Sequence, residues 1–114
     1  MHVITYRSLT TWCATTRPPA QVARLLGAWH DSCKAARWRN SAEVKASFPT
    51  SDPVKGCAER FVFDIASFRL IAEIRFAAED RNGSLFVKFI GTHSEYDALC
   101  KKNRQCTVNM FSTT

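Results

Sequence analysis

Residues 88–99, KFIGTHSEYDAL, pass from a strand pattern to a helix pattern and set Thr92, His93, Ser94, Glu95, Tyr96 and Asp97 in a row at the join. Thr92 and Glu95 form the T-x-x-E of a capping box, in which each side chain satisfies a backbone N–H at a helix start. His93 then falls in the first helical turn, and Tyr96, three residues on, lies on the same side. An imidazole there can take a proton and return it. The plainer alternative is that His93 and Tyr96 only pack against a neighbouring sheet.

A second set is cationic. Arg69 and Arg75 alternate on the polar side of one strand pattern, Lys88 lies on the next, and Lys45 sits on a short helix before them. Fixed cations stabilise the charge that builds on a phosphate during in-line displacement, and the planar guanidinium suits two-point phosphate contact. The competing reading is a solvated face, with Glu73 paired to an arginine. Metal chemistry lacks a ligand set: His2, His30 and His93 are far apart, and neither HxxxH nor CxxC occurs. His30 and Cys33 share a helix face, but a zinc site needs three or four ligands. No G-x-x-x-x-G-K or G-x-G-x-x-G loop is present to cradle a nucleotide. Neither a metal nor a cofactor is expected.

These groups need elements to hold them. HVITY (2–6) reads as a short strand and RSLTTWCATT (7–16) as a helix, broken at RPP (17–19). From 20 to 38, Val22, Leu25, Leu26, Trp29 and Cys33 recur at helical spacing. NSAEVKASF (40–48) is a short helix capped by Asn40 or Ser41, followed by a loop over 49–56. The pattern then changes to period two. RFVFDI (60–65) and FRLIAEIRF (68–76) form a tight hairpin across Ala66 and Ser67, and LFVKFI (85–90) is a third strand after the Asn82–Gly83 turn. Phe68, Leu70, Ala72, Ile74 and Phe76 share one face; Arg69, Ile71, Glu73 and Arg75 share the other. Helices first and a strand meander later imply an α+β fold, a small, mostly antiparallel sheet with N-terminal helices packed on one face and a C-terminal helix. The tail from about 105 reads as loose.

The chain has 114 residues, which suits one domain over 1–114 with one core. Its 46% hydrophobic content excludes a disordered chain, and its net charge of +6 suits a polyanion or an acidic protein partner. Cys13, Cys33, Cys57, Cys100 and Cys106 are odd in number and irregularly spaced, which points to a reducing compartment rather than a disulfide framework. No signal peptide and no membrane span are expected.

The ordered motifs resemble the HigB-type toxins of bacterial toxin–antitoxin modules, within the wider RelE-like superfamily. WRNSAEVKASFPTSD (38–52) is similar to the family's W-x-N-P-x-D-V-K-x-x-F-P-S-A-D. FVFDI (61–65), FRLIAEIRF (68–76) and FVKFIGTHSEYD (86–97) resemble V-V-F-N-I, Y-R-L-I-x-x-I-x-Y and F-I-R-F-I-G-T-H-A-E-Y-D. The resemblance implies a RelE-like fold and a cytoplasmic endoribonuclease. Such an enzyme cuts mRNA on translating ribosomes without a metal, through attack of a ribose 2′-hydroxyl on the adjacent phosphate. Lys45, Arg69, Lys88, His93 and Tyr96 fall on the family's matching positions. His93 and Lys45 are expected to transfer protons, Arg69 and Lys88 to hold the phosphate, and Tyr96 to stack on or orient the nucleotide. Arg37, Arg39, Arg75, Lys101 and Lys102 are further cations expected to bind RNA. The implied partners are a helix-turn-helix antitoxin of the HigA type, mRNA and the ribosome, with operator DNA reached only through the antitoxin complex. The alternative is a catalytically inactive module of the same fold acting as corepressor. Three departures stand out: the hairpin after FDI lacks the family's G-G-N-K insert, Asp64 replaces the usual asparagine, and the tail runs longer.

Overall fold

A computed structural model describes residues 1–4 and 6–111, with the side chain of Tyr6 outside that description. The order is β1 (His2–Ile4), α1 (Tyr6–Thr16), α2 (Ala20–Ala35), α3 (Ser41–Ser47), β2 (Asp52–Pro53), β3 (Arg60–Ile65), β4 (Phe68–Arg75), β5 (Ser84–Thr92) and α4 (His93–Lys101). The described residues form a five-stranded sheet in the order β1-β5-β4-β3-β2, antiparallel except for the parallel pair of β1 with β5. This is the expected α+β fold.

Alternation along the strands separates the two faces of the sheet. Phe61, Phe63, Ile65, Leu70, Ala72, Ile74, Leu85, Val87 and Ile90 point to one side and are buried against Leu9 of α1 and Val22, Leu26, Trp29 and Cys33 of α2. Trp29 meets Phe63 edge-to-face at 5.5 Å between ring centres, and Trp12 meets Phe68 at 5.4 Å, a preferred aromatic geometry. The other face carries Arg60, Val62 and Asp64 on β3 and Arg69, Ile71 and Glu73 on β4. Ile71 and Phe89 are buried there with Val54 in a second, smaller core, against which Tyr96 and Leu99 of α4 and Val108 pack.

Local sequence explains most boundaries. α3 starts at Asn40, whose side chain accepts from the Glu43 N–H at 3.0 Å. The β3–β4 hairpin turns on Ala66 and Ser67, with Ala66 at φ 54°. Gly83 has φ 82°, and a Cβ there would stand 2.7 Å from the Arg75 carbonyl oxygen, so the turn into β5 admits no side chain.

Five expectations need correction. α2 stops at Ala35 rather than running to 38, because Ala36 is extended; Arg37 and Trp38 lie in the following loop. β1 ends at Ile4, while Thr5 lies outside the described residues. The loop over 49–56 contains β2, whose Asp52 and Pro53 pair with Val62 and Phe61; Pro53 is tolerated because β2 is an edge strand. Cys57 is not the reduced thiol expected. It forms a disulfide with Cys106, the two Cα atoms 5.4 Å apart across a separation of 49 residues. The irregular spacing hid the pair because the folded tail brings the two together. Residues 105–111 are likewise tied down rather than loose. Arg60 donates to the carbonyls of Gln105 and Val108 at 3.2 and 2.8 Å, and the Met110 N–H donates to the Lys88 carbonyl at 2.8 Å. The tail thus straps the open face of the sheet.

Candidate functional site

The C-terminal ends of β3 and β5, the start of β4 and the start of α4 meet at one edge of the open face. Asp64 and Arg69 are direct cross-strand partners, and Arg69 stands opposite Gly91 of β5. The chain then enters α4 through a complete capping box: the Thr92 side chain accepts from the Glu95 N–H at 3.1 Å, and Glu95 accepts from the Thr92 N–H at 2.8 Å. Gly91 permits this close approach. A Cβ there would lie 2.7 Å from the Phe89 ring and 3.0 Å from Glu95 Oε1, displacing the cap. The cap fixes where α4 begins, and so where His93 and Tyr96 project.

Asp64 Oδ1 lies 3.5 Å from Arg69 Nε and 4.0 Å from His93 Nε2. Arg69 also faces Asp97 at 3.9 Å, and its guanidinium carbon stands 5.0 Å from the centre of the Tyr96 ring. Arg69 is therefore held by two carboxylates and an aromatic face, while its side chain stays about one-third exposed. A part-exposed guanidinium beside a half-exposed imidazole can meet an anion from solvent without first being dug out of a core. Asp97, which the sequence left without a role, is the second counter-ion of Arg69.

Half-burial of Tyr96 pushes its phenol up to about 12, helped by a hydrogen bond with Cys100 and opposed by Arg69. A phenol that ionises only there is neutral at physiological pH, so Tyr96 can stack or donate but cannot serve as a base. For the RNA cleavage that the sequence resemblance leads us to expect, removing the hydroxyl in Tyr96→Phe should leave the rate within about threefold and the shape of its pH profile unchanged, the scale of one ordinary hydrogen bond. On the same expectation, removing the ring in Tyr96→Ala should cost about tenfold, through loss of the surface on which Arg69 rests.

The other expected site residues have different contacts. Lys45 donates to the Ser51 carbonyl at 2.8 Å and pairs with Asp52 at 3.1 Å, beside β2. Lys88 is the extra residue of a β-bulge: Ile71 pairs with Phe89 and Ala72 with Val87, which leaves Lys88 between them. Its ammonium lies 5.6 Å from the Phe86 ring centre, and Arg75 lies 5.1 Å from the same ring. These three residues make a basic–aromatic patch farther down the open face. Arg37 donates to the carbonyls of Ala78 and Arg81, and Arg39 pairs with Glu43 at 3.0 Å. Lys101 and Lys102 are exposed at the end of α4. A cavity of about 630 Å³ opens at the opposite end of the sheet from His93, beside Arg75, Arg81 and Ser84. The His93 cluster lies at the ends of β3, β4 and β5, with its side chains part-exposed. Spacing within β3 could not reveal that Asp64 joins His93, because the contact runs between β3 and α4.

An α+β domain with its N-terminal helices on one sheet face, α4 on the other and a titratable cluster at the strand ends fits the RelE-like class of toxins. The family model for HigB toxin, the RelE-like toxic component of a toxin–antitoxin system, matches residues 22–99, and the chain belongs to that family. The match runs from α2 into α4 and takes in Lys45, Asp64, Arg69, Lys88, His93, Tyr96 and Asp97; the strap and Cys106 fall outside it. A search of curated proteins finds no match. The chain is thus a toxin of a toxin–antitoxin system, with an antitoxin as its partner. Among the described residues, no helix is long and apolar enough to cross a membrane.

Proposed function

We propose that this toxin is a ribosome-dependent, metal-independent endoribonuclease that cuts mRNA and so inhibits translation. The observation that carries the reading is the Arg69–Asp64–His93 arrangement, a cation and an imidazole both within 4.0 Å of one carboxylate oxygen at an open edge. RNA self-cleavage needs little more than a base for the 2′-hydroxyl, an acid for the departing 5′-oxygen and cations for the charged phosphorane. In this reading His93 and Lys45 move the protons, Arg69 holds the scissile phosphate, and Lys88 with Arg75 holds RNA along the Phe86 patch. Tyr96 backs Arg69 and offers an aromatic face to a base. Arg37, Arg39, Lys101 and Lys102 add long-range attraction to the RNA backbone.

The proposed partners are a HigA-type helix-turn-helix antitoxin, mRNA and the ribosome, with operator DNA contacted only through the antitoxin complex. The proposed compartment is the cytoplasm, where the Cys57–Cys106 pair would meet a reducing thiol pool. One observation favours the alternative of an inactive corepressor: two carboxylates already surround Arg69, and a phosphate must compete with them. Expression without the antitoxin, with 5′-end mapping of cellular mRNA, decides between the two. The nuclease reading expects growth arrest and new 5′ ends inside coding sequences. Normal growth with unchanged 5′ ends overturns it.

A further inference from the structure

Asp64 stands where the resembled motif carries asparagine. Both residue types offer an oxygen to Arg69 or to an imidazole N–H, but only aspartate brings a charge. That charge has two opposite consequences at an RNA-cutting site. It repels an incoming phosphate, and it stabilises any positive charge that forms on His93 during reaction. The geometry shows which it is placed to do. Asp64 Oδ1 faces Nε2 of His93 at 4.0 Å and Nε of Arg69 at 3.5 Å, so the carboxylate is turned toward the two groups the reading needs. The charged groups around His93 are Asp64 on β3, Arg69 on β4, and Glu95 and Asp97 on α4 beside the Tyr96 phenol and the α4 N-terminus.

We propose, on the basis of the nuclease reading above, that Asp64 is a positioning residue that acts through His93: its carboxylate holds the Nε2 edge of the ring and stabilises the imidazolium formed when Nδ1 takes the ribose 2′-hydroxyl proton. The freed 2′-oxygen forms its bond to phosphorus as the bond from phosphorus to the 5′-oxygen breaks. The 5′-oxygen leaves with a proton from Lys45, the other proton carrier of that reading, which becomes the acid once His93 is the base. The products are a 2′,3′-cyclic phosphate and a 5′-hydroxyl end. A carboxylate behind an imidazole has the same task in hydrolytic triads, where it orients the ring and stabilises its cation without taking the proton. The assignment makes His93 the base.

The test is Asp64→Asn in the full chain, which keeps the shape and the acceptor oxygen and removes the charge. Cleavage of ribosome-bound mRNA should show kcat down about tenfold, a fraction of the roughly 10²–10⁴ that a whole base contributes. KM should be unchanged or lower, because the charge that repels the phosphate is gone. A merely structural Asp64 would move KM and thermal stability together, and a charge that only repels RNA would raise kcat/KM on removal without lowering kcat; either result overturns the proposal. NMR of the His93 ring provides a readout without RNA: its NOEs to the ends of β3 and β4 should weaken in Asp64→Asn, where the charge that holds the ring is gone. Unchanged NOEs overturn the proposal. A parent that cuts no RNA overturns the nuclease reading, while the NOEs still decide whether Asp64 positions His93.

Discussion

His93→Ala and Arg69→Ala should each abolish growth arrest while the protein stays folded. The His93 side chain is about half exposed at the first position of α4, and substitutions at such positions stay within about 0.5 kcal/mol. As the proposed base it would be worth roughly 10²–10⁴ in rate. Arg69→Ala acts differently. It removes the cation proposed to hold the phosphate, worth about 10²–10³, and it also leaves Asp64 and Asp97 unopposed at the strand ends. RNA should therefore bind more weakly as well as react more slowly. The measurement is growth after induction, with 5′-end mapping and a thermal melt of each purified variant. Folded variants that both retain toxicity would sink the assignment of the site.

Arg60→Ala should be the most destabilising single change on the open face. Arg60 is 7% exposed, sits opposite Glu73 in the ladder and pairs with it at 3.3 Å. Its guanidinium also holds two carbonyls of the tail. Truncation leaves Glu73 without its partner and two carbonyls without a donor, and breaking such a buried pair costs about 3–5 kcal/mol. For a domain of this size that lowers Tm by at least about 10 °C. Amide exchange should rise at Met110, whose N–H bonds to Lys88 across the sheet edge. Arg60→Lys should fall between, because an ammonium keeps the charge but lacks the planar fork that reaches Glu73 and the tail together. A Tm within about 2 °C of the parent would refute the clamp. The effect should grow under reduction, since opening Cys57–Cys106 leaves Arg60 as the main tie on the strap.

What the sequence revealed and what it concealed divide along one physical line. The capping box at Thr92 and Glu95, the Asn40 cap, the β3–β4 hairpin and the faces of β4 are local: each depends on residues within a turn or an alternation of one another. All were legible. The pairing of two-residue β2, the end of α2 and the disulfide depend on chain segments that meet only after folding. The site divides in the same way. The capping box showed that His93 and Tyr96 begin a helix, and period two showed that Arg69 faces away from the N-terminal helices. That Asp64 and Asp97 close around Arg69 is a contact among β3, β4 and α4, invisible to spacing. Lys45 and Lys88 were grouped with His93 by resemblance; their contacts in the structure are instead with Asp52 and Phe86.

The parallel pairing of β1 with β5 sets a timetable. His2, Val3 and Ile4 bond to Ser84, Leu85 and Phe86, so the first strand waits for most of the chain before it finds its partner. Contacts between such distant segments slow folding. Asp64, Arg69 and His93 span the same late half of the polypeptide, and His93 is aimed only once β5 has led the chain into α4. A toxin built this way brings Asp64, Arg69 and His93 together only after β5 has been made, so a nascent chain that stops short of α4 lacks the cluster.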